Sequence, residues 1–339
     1  MKRITLITIL FTLVLFADGY AQNGSIIEGT VKDHKTGEPL ANVNVYINGS
    51  TIGTSTNNEG FFKLEGIAPG VYPLVFTRIG YIAVERRVVL GKNQIAKAET
   101  DLEPHVYNMK EVQVTGTYPK KWKRRLQVFK DEFLGSSEFA DQCVIVNPEV
   151  LDFTIDHKTG DLVARTDSAL IIINNALGYR MRIKLISFRW HGETGTYKIY
   201  PFFKEMKPSS PMQLNEWKTN RETAYKYSIR HFLFALYHNA ALKDGYRYKW
   251  GIYRLSNKKN QEELAKRGLS NVPLTGFRID NDVSVRYEAT ESEIIKLKPK
   301  YFFVDSNGNL LNPISVSLAG NWDNYRVGAL IPFNYKPKD

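Results

Sequence analysis

Three side chains that could grip a ligand recur at four-residue spacing in one predicted helix. Trp217, Arg221 and Tyr225 fall on the same face of a helix expected from about Leu214 to His238. An arginine held between aromatic rings can bind a carboxylate or a glycan through paired hydrogen bonds and cation–π contact. The structural alternative is that the column packs a helix on a sheet, with Arg221 donating to buried carbonyls.

A dense run of positive charge precedes this column in the chain. Five cations occupy six positions: Lys120, Lys121, Lys123, Arg124 and Arg125. Such a run can meet anionic lipid, lipopolysaccharide, an acidic glycan or nucleic acid. Helix-turn-helix, zinc-finger and RNA-binding signatures do not accompany it, so we expect no nucleic-acid partner. The alternative is a solvated linker just after a domain boundary.

Catalytic chemistry would require side chains that the sequence does not place together. The six histidines form no His-Glu-x-x-His zinc motif, and His231 and His238 lie seven residues apart on a predicted helix. Asp152 and Asp156 could serve a glycosidase as an acid/base pair, but scattered surface carboxylates are far more common. Cys143 lies in an apolar stretch, which raises a thiol pKa and favours a buried structural cysteine. We therefore predict no enzyme, no metal and no cofactor. The alternative is a hydrolase with a dispersed site, metallo-carboxypeptidase-like or glycosidase.

Charge is unevenly divided along the 339 residues. The chain has 46 Lys+Arg and 35 Asp+Glu, a formal net charge of +11. Residues 22–115 hold 9 basic and 10 acidic side chains, whereas residues 116–339 hold 35 and 24. The excess positive charge therefore lies in the second part of the chain, where it favours an anionic partner.

Residues 1–21 predict a signal peptide. Lys2 and Arg3 precede an uncharged core, Ile4 to Phe16, that would make about 20 Å of helix against about 30 Å of bilayer hydrocarbon. Small residues end at Ala21, where we predict cleavage. The alternative is an uncleaved anchor. We expect export to the periplasm or to the outer-membrane periphery of a Gram-negative bacterium.

Residues 22–103 predict an antiparallel β-sandwich. Apolar and polar residues alternate around Ile27 to Val31, Val43 to Ile47 and Tyr72 to Phe76. Turn sequences such as Asp33 to Gly37 separate these runs. Short strands at this spacing are typical of a sandwich.

Several motifs in this region resemble the carboxypeptidase regulatory-like domain. They are Gly29-Thr-Val-Lys-Asp33, Gly37-Glu-Pro-Leu-Ala-Asn-Val-Asn-Val45, Asn58-Glu-Gly-Phe-Phe-Lys-Leu64, Gly70-Val-Tyr-Pro-Leu74 and Ile79-Gly-Tyr81. The resemblance implies a prealbumin-like (transthyretin-like) sandwich of seven strands in Greek-key order. It does not imply peptidase activity, because the catalytic metal of such enzymes lies in another domain.

The segment after the sandwich, Met109-Lys-Glu-Val-Gln-Val-Thr-Gly116, is similar to the one that follows this sandwich in outer-membrane TonB-dependent receptors. The resemblance does not extend to their transport domain, so energy-coupled transport is not implied. We interpret residues 104–125 as an extended strand and a basic linker that serves only as a connection. The alternative is that the strand pairs with a sheet edge.

Residues 126–339 predict an α+β domain. A short helix from Leu126 to Leu134 precedes a strand meander from Val150 to Trp190 and a strand from Tyr197 to Phe203. Four further motifs lie in this half: Phe133-Leu-Gly135, Cys143-Val-Ile-Val-Asn-Pro-Glu-Val-Leu-Asp-Phe153, Leu177-Gly-Tyr179 and Trp217-Lys-Thr-Asn-Arg-Glu-Thr-Ala-Tyr225. They resemble the second half of exported proteins which carry the same sandwich and have no established activity. We therefore expect a non-enzymatic, exported cell-envelope protein that binds another envelope protein or a glycan. Peripheral contact with an anionic membrane surface is an alternative.

Overall fold

The computed structural model describes residues 24–105, 118–192, 194–248, 251–270, 272–296, 301–311 and 316–337. The predicted signal peptide and residues 106–117 of the predicted linker lie outside these ranges. Within them, every helix is too short or too polar to cross a bilayer.

Residues 24–105 form two facing β-sheets. The strands are β1 (Ser25–Asp33), β2 (Asn44–Ile47), β3 (Gly53–Ser55), β4 (Phe61–Ile67), β5 (Gly70–Thr77), β6 (Val84–Leu90), β7 (Ile95–Lys97) and β8 (Thr100–Leu102). One sheet has the order β4-β1-β7 and the other β3-β2-β5-β6; β7 and β8 both pair in parallel with β1. Alternate residues, including Ile27, Val45, Phe62 and Phe76, fill the space between the sheets. The predicted sandwich is confirmed.

Two identical pentapeptides make the same turn. Residues 33–37 and 156–160 both read Asp-His-Lys-Thr-Gly. In each, the Asp carboxylate accepts the backbone N–H of the Lys, at 2.7 and 3.0 Å, and the glycine donates its N–H to the Asp carbonyl at 2.8 Å. Both glycines have a positive φ, which an L side chain would strain. Local sequence therefore determines both turns.

The second part is built on a six-stranded sheet. Its strands are β9 (Cys143–Ile145), β10 (Leu151–Ile155), β11 (Leu162–Thr166), β12 (Leu170–Asn174), β13 (Tyr179–His191) and β14 (Thr194–Glu205). The long strand β13 pairs with β12 along its first half and with β11 near its end, while β14 lies on its other side. The predicted strands are present, but the predicted meander is wrong, because β11 and β12 share one edge of β13.

Helix α1 (Lys120–Leu134) covers the inner face of this sheet. Phe129 and Phe133 stack at 4.6 Å and pack edge-on against Phe188 of β13. The predicted boundary at Leu126 is therefore wrong: the basic run lies in the first turns of the helix, not in a linker. The apolar spacing of Trp122, Phe129 and Phe133 on one face overrides the charge of the run.

Among the described residues, the third part contains four helices and two small sheets. The helices are α2 (Pro211–Lys226), α3 (Ile229–Tyr237), α4 (Asn257–Ala265) and α5 (Asn321–Asn324), and the strands are β15 (Tyr246–Tyr248), β16 (Ile252–Arg254), β17 (Thr275–Ile279), β18 (Val283–Tyr287), β19 (Thr290–Lys296), β20 (Tyr301–Val304) and β21 (Val316–Gly320). The sheets have the orders β15-β18-β19-β21 and β16-β17-β20. Their cores are separate from the core under α1, so residues 126–339 contain more than one packing unit.

The single helix predicted from Leu214 to His238 is interrupted. α2 ends at Lys226, and Ser228 begins α3 by accepting the backbone N–H of His231 with its hydroxyl. A serine at this position satisfies an amide that has no partner inside the helix. The apolar periodicity continues across the break, which is why the pattern alone predicts one helix.

The turn between β2 and β3 joins the sandwich to the rest of the chain. Gly49 donates its N–H to the Pro201 carbonyl at 2.8 Å, and Phe203 donates to the Ser50 carbonyl at 2.9 Å, both along the outer edge of β14. On the other side of the turn, Phe333 donates its N–H to the Gly49 carbonyl at 2.8 Å. Tyr46 completes the joint, since its hydroxyl donates to the Tyr200 carbonyl at 3.0 Å.

We expect Tyr46→Phe to lower the free energy of unfolding by about 1 kcal/mol, because it removes a buried hydrogen bond between the sandwich and β14. The matched control is Tyr72→Phe, whose hydroxyl bonds the Ala68 carbonyl within the sandwich. Calorimetry should show the sandwich melting apart from the rest in Tyr46→Phe alone. If the sandwich and the rest of the chain unfold in a single transition in both variants, the Tyr46 hydrogen bond does not couple them.

Candidate binding surfaces

The candidate column on α2 is buried. Trp217, Arg221 and Tyr225 are 2%, 7% and 7% exposed, respectively. The indole N–H of Trp217 donates to the Asn175 carbonyl at 2.7 Å. Below it lies Gly178, where an added Cβ would come within 2.3 Å of the indole. The helix is thus fitted closely over the β12–β13 turn.

Arg221 donates hydrogen bonds to backbone carbonyls of the same turn. Its Nε donates to the Leu177 carbonyl at 2.7 Å and its Nη2 to the Gly178 carbonyl at 3.3 Å. The guanidinium carbon lies 4.0 Å from the centre of the Tyr179 ring, and Nη1 is 3.4 Å from the Glu205 carboxylate. These contacts satisfy carbonyls that would otherwise be buried without partners.

Tyr225 has different neighbours from the other two members of the column. Its ring lies against His231 at 5.2 Å and beneath the Arg230 guanidinium at 5.3 Å. The hypothesis that Trp217, Arg221 and Tyr225 form an open ligand site is therefore wrong, because burial and carbonyl bonding leave no access. The structural alternative accounts for the contacts.

The basic run forms an exposed face on α1. Arg125 is partly buried and donates to the Phe153 carbonyl at 2.9 Å. The remaining four cations, Lys120, Lys121, Lys123 and Arg124, are exposed and form no ion pair with any residue that the structure describes. We call these four residues the α1 basic face.

The position of this face is unfavourable for the helix itself. The N-terminus of a helix carries the positive end of its dipole, so cations there are destabilising and acidic residues are preferred. The first turn of α1 contains no acidic residue, and Pro119 supplies no side-chain cap. Trp122 nevertheless fixes the helix, donating its indole N–H to the Leu151 carbonyl at 3.2 Å. Helix stability therefore does not explain the charge.

The residues considered for catalysis are separated. Burial raises the pKa of the Cys143 thiol to about 12, so the nucleophilic thiolate is scarce at neutral pH. His231 lies against Tyr246, with its Nδ1 2.8 Å from the hydroxyl, whereas His238 Nε2 lies 3.0 Å from the Ser306 carbonyl. In the part of the chain that the structure describes, no three His, Cys, Asp or Glu side chains come together as metal ligands.

Asp156 belongs to a charged cluster that the sequence reasoning missed. Arg189 donates to Asp156 at 2.8 Å and to Asp161 at 2.9 Å, and His191 Nδ1 is 2.8 Å from Asp161. The hydrogen bond from Arg189 lowers the pKa of Asp156. Asp152 lies on β10 opposite Arg165. Asp156, considered with Asp152 as a possible acid/base pair, is thus held ionised in an exposed ion-pair network, as the alternative of scattered surface carboxylates implies. The turn sequence shared with residues 33–37 was the available signal that Asp156 shapes a hairpin.

Arg221→Met should lower the free energy of unfolding by about 3 kcal/mol, because it leaves the Leu177 and Gly178 carbonyls buried without donors. Urea denaturation measures this, with Arg124→Met as the exposed control that should change little. Equal, small losses in both variants would show that the Arg221 contacts do not hold the turn.

Burial lowers the pKa of His231, so stability should fall as the pH drops. In the unfolded chain the pKa of His231 is about 6.5, so below that pH the unfolded chain binds a proton that the folded chain does not. The free energy of unfolding therefore falls as the pH decreases from about 6.5 to the lower pKa of the folded chain. Urea midpoints at pH 7.5 and 5.5 should differ less in His231→Gln than in wild type. His157→Gln, an exposed control, should show the same difference between the two midpoints as wild type. If His231→Gln also shows the full wild-type difference, His231 is not the cause of the loss of stability at low pH.

Comparison with known proteins identifies the family to which the first domain is similar. Residues 27–114 match the family model of the CarboxypepD_reg-like domain. The chain is similar to the TonB-dependent receptor SusC of Bacteroides thetaiotaomicron, at 28% identity over 170 residues. That match covers 50% of this chain and 15% of the receptor, so the chain spans a small fraction of this relative's length.

Two solved structures are similar over parts of the chain. The pilus 2b backbone protein of group B streptococcus matches 24% of this chain and 41% of its own, at 16% identity and a TM-score of 0.21. A protein from Bacteroides uniformis, described as carbohydrate binding, matches 87% and 98%, at 8% identity and also a TM-score of 0.21. Both TM-scores are below the level at which two whole chains share a fold. Residues 27–114 of this chain are, by the family match, a CarboxypepD_reg-like domain.

Proposed function

We propose that the protein is a non-enzymatic binding protein of the cell envelope, in which a basic α+β part contacts an anionic envelope protein or glycan. The sandwich, proposed to be the seven-stranded Greek-key form with β7 and β8 as one interrupted strand, acts as an accessory module. The family match and the similarity to a TonB-dependent receptor support an envelope role. Export of the mature chain after Ala21 is part of the proposal.

The observation that carries the proposal is the α1 basic face. Lys120, Lys121, Lys123 and Arg124 are exposed, lie at the unfavourable end of a helix dipole, and have no carboxylate partner among the described residues. An external anion would relieve both the mutual repulsion and the interaction with the dipole. Carboxylates of a protein or of an acidic glycan supply such anions.

The scaffold under this face favours a specific contact over a diffuse one. Phe129 and Phe133 are fully buried beneath the helix, and Arg125 and Trp122 tie its first turns to β10. The four cations therefore project from a fixed backbone, and less conformational entropy is lost when a partner binds.

Replacing all four residues of the α1 basic face with Gln should weaken association with isolated outer membranes by about tenfold or more, because the electrostatic contacts are lost. The matched control carries the same charge change at scattered exposed lysines, Lys32, Lys35, Lys158 and Lys207. Co-sedimentation at low and moderate salt measures both variants. Thermal unfolding should show that the α1 variant is no less stable than wild type.

Undiminished association of the α1 variant would contradict the proposal. Vesicles of phosphatidylglycerol and of phosphatidylcholine separate the partner classes. Salt-sensitive binding to phosphatidylglycerol alone, lost in the α1 variant, would identify the membrane surface as the ligand and not a protein or glycan.

A further inference from the structure

The outer face of the six-stranded sheet carries a second, independent surface. The strand register places Val144, Ile173, Arg180 and Lys204 in one row across β9, β12, β13 and β14. The adjacent row contains Ile171 and Arg182, and Val146 joins it by donating its N–H to the Ile171 carbonyl. Directly opposed residues share a face. We call these two rows the amphipathic sheet face.

One half of this face is apolar and open to solvent. Val144 on the edge strand β9 and Val146 just beyond its end are 52% and 49% exposed, and Ile171 and Ile173 beside them are partly exposed. Isolated exposed aliphatic residues are ordinary, but adjacent ones in register form a patch that a partner can cover.

The other half is basic. Arg180 and Lys204 are directly opposed across β13 and β14, an arrangement in which like charges repel. Arg182 lies two residues along the same strand. Within the described ranges these three cations form no ion pair. The sheet therefore holds three cations close together without internal neutralisation.

The sandwich forms a wall at the end of the second row. Phe202, which lies opposite Arg182, contacts Tyr46 at a ring distance of 5.2 Å, and Tyr46 and Val75 bury Tyr200 beside it. The sandwich thus rises beside the amphipathic sheet face, which forms the floor of the corner between the two. A flat bilayer would meet the sandwich before it reached this floor, whereas a single protein segment would fit beside the wall.

We propose that the amphipathic sheet face binds an acidic, amphipathic segment of a partner protein. Apolar side chains of the segment lie over Val144, Val146, Ile171 and Ile173, and its carboxylates pair with Arg180, Arg182 and Lys204. Helix α1 lies on the opposite face of the same sheet. This surface goes beyond the proposed function and does not require the α1 basic face.

The probe is a synthetic helical peptide of about 16 residues with Leu in one half of its length and Glu in the other half, because the apolar and basic halves of the face follow one another across the strands. At about 24 Å it can cross four strands spaced about 4.8 Å apart. Its matched partner has Gln at every Glu. Fluorescence anisotropy with the full chain should show binding of the acidic peptide and at least about tenfold weaker binding of the Gln peptide.

Arg180→Gln combined with Lys204→Gln should weaken binding of the acidic peptide about tenfold, as should Val144→Ser with Val146→Ser. Lys198→Gln, on the same face of β14 but away from the rows, is the control and should bind as wild type. Because Lys204→Gln removes a like-charge pair, the charge variant should keep or raise the melting temperature, which separates lost binding from lost folding.

The α1 glutamine variant should bind the acidic peptide as wild type does, so the two surfaces can fail separately. Four results would overturn the proposal: no binding of the acidic peptide, equal affinity for both peptides, an equal loss in Lys198→Gln, or phosphatidylglycerol vesicles bound through Arg180 and Lys204 in preference to the peptide.

Discussion

The packing of strand β13 against helix α1 is the constraint on which the second part of the molecule depends. Alternate residues of β13 point in opposite directions, so Met181 and Ile183 enter the core beneath α1 while Arg180 and Arg182 face outward. The same strand thus holds the basic helix in place and presents cations on the far side of the sheet. A one-residue shift of register would exchange these two sets and remove both surfaces.

The joint at the β2–β3 turn gives the sandwich a structural role in this arrangement. Gly49 and Ser50 continue the hydrogen bonding of β14 beyond its outer edge, and Phe333 of the C-terminal segment binds the other side of the turn. Ser50 is fully buried, with its hydroxyl donating to the Ile47 carbonyl. An accessory domain tethered only by a linker could not form a wall beside the sheet, whereas a domain fixed at this joint does.

Local sequence patterns predicted most of the strands. They did not predict the features that depend on contacts between residues distant in sequence. The two Asp-His-Lys-Thr-Gly turns were predictable because their hydrogen bonds lie within five residues. The start of α1 was not, because the charge of residues 120–125 suggested solvent, whereas contacts of Trp122, Arg125 and Phe129 with distant strands hold the run in the helix. Arg221 was ambiguous for the same reason: its carbonyl partners lie about 44 residues away in sequence. The alternation of Arg180 and Arg182 was visible, but the apolar residues that complete the face come from other strands.

Hydrogen–deuterium exchange of the free full chain measures the rigidity of α1. We expect the amides of α1 beyond its first turn to exchange slowly and with the same opening free energy as those of β13, since both close one core. Phe129→Ala should accelerate both together. Complete exchange of residues 124–134 within seconds, with β13 still protected, would show that the basic run is a flexible linker and that α1 is not rigid.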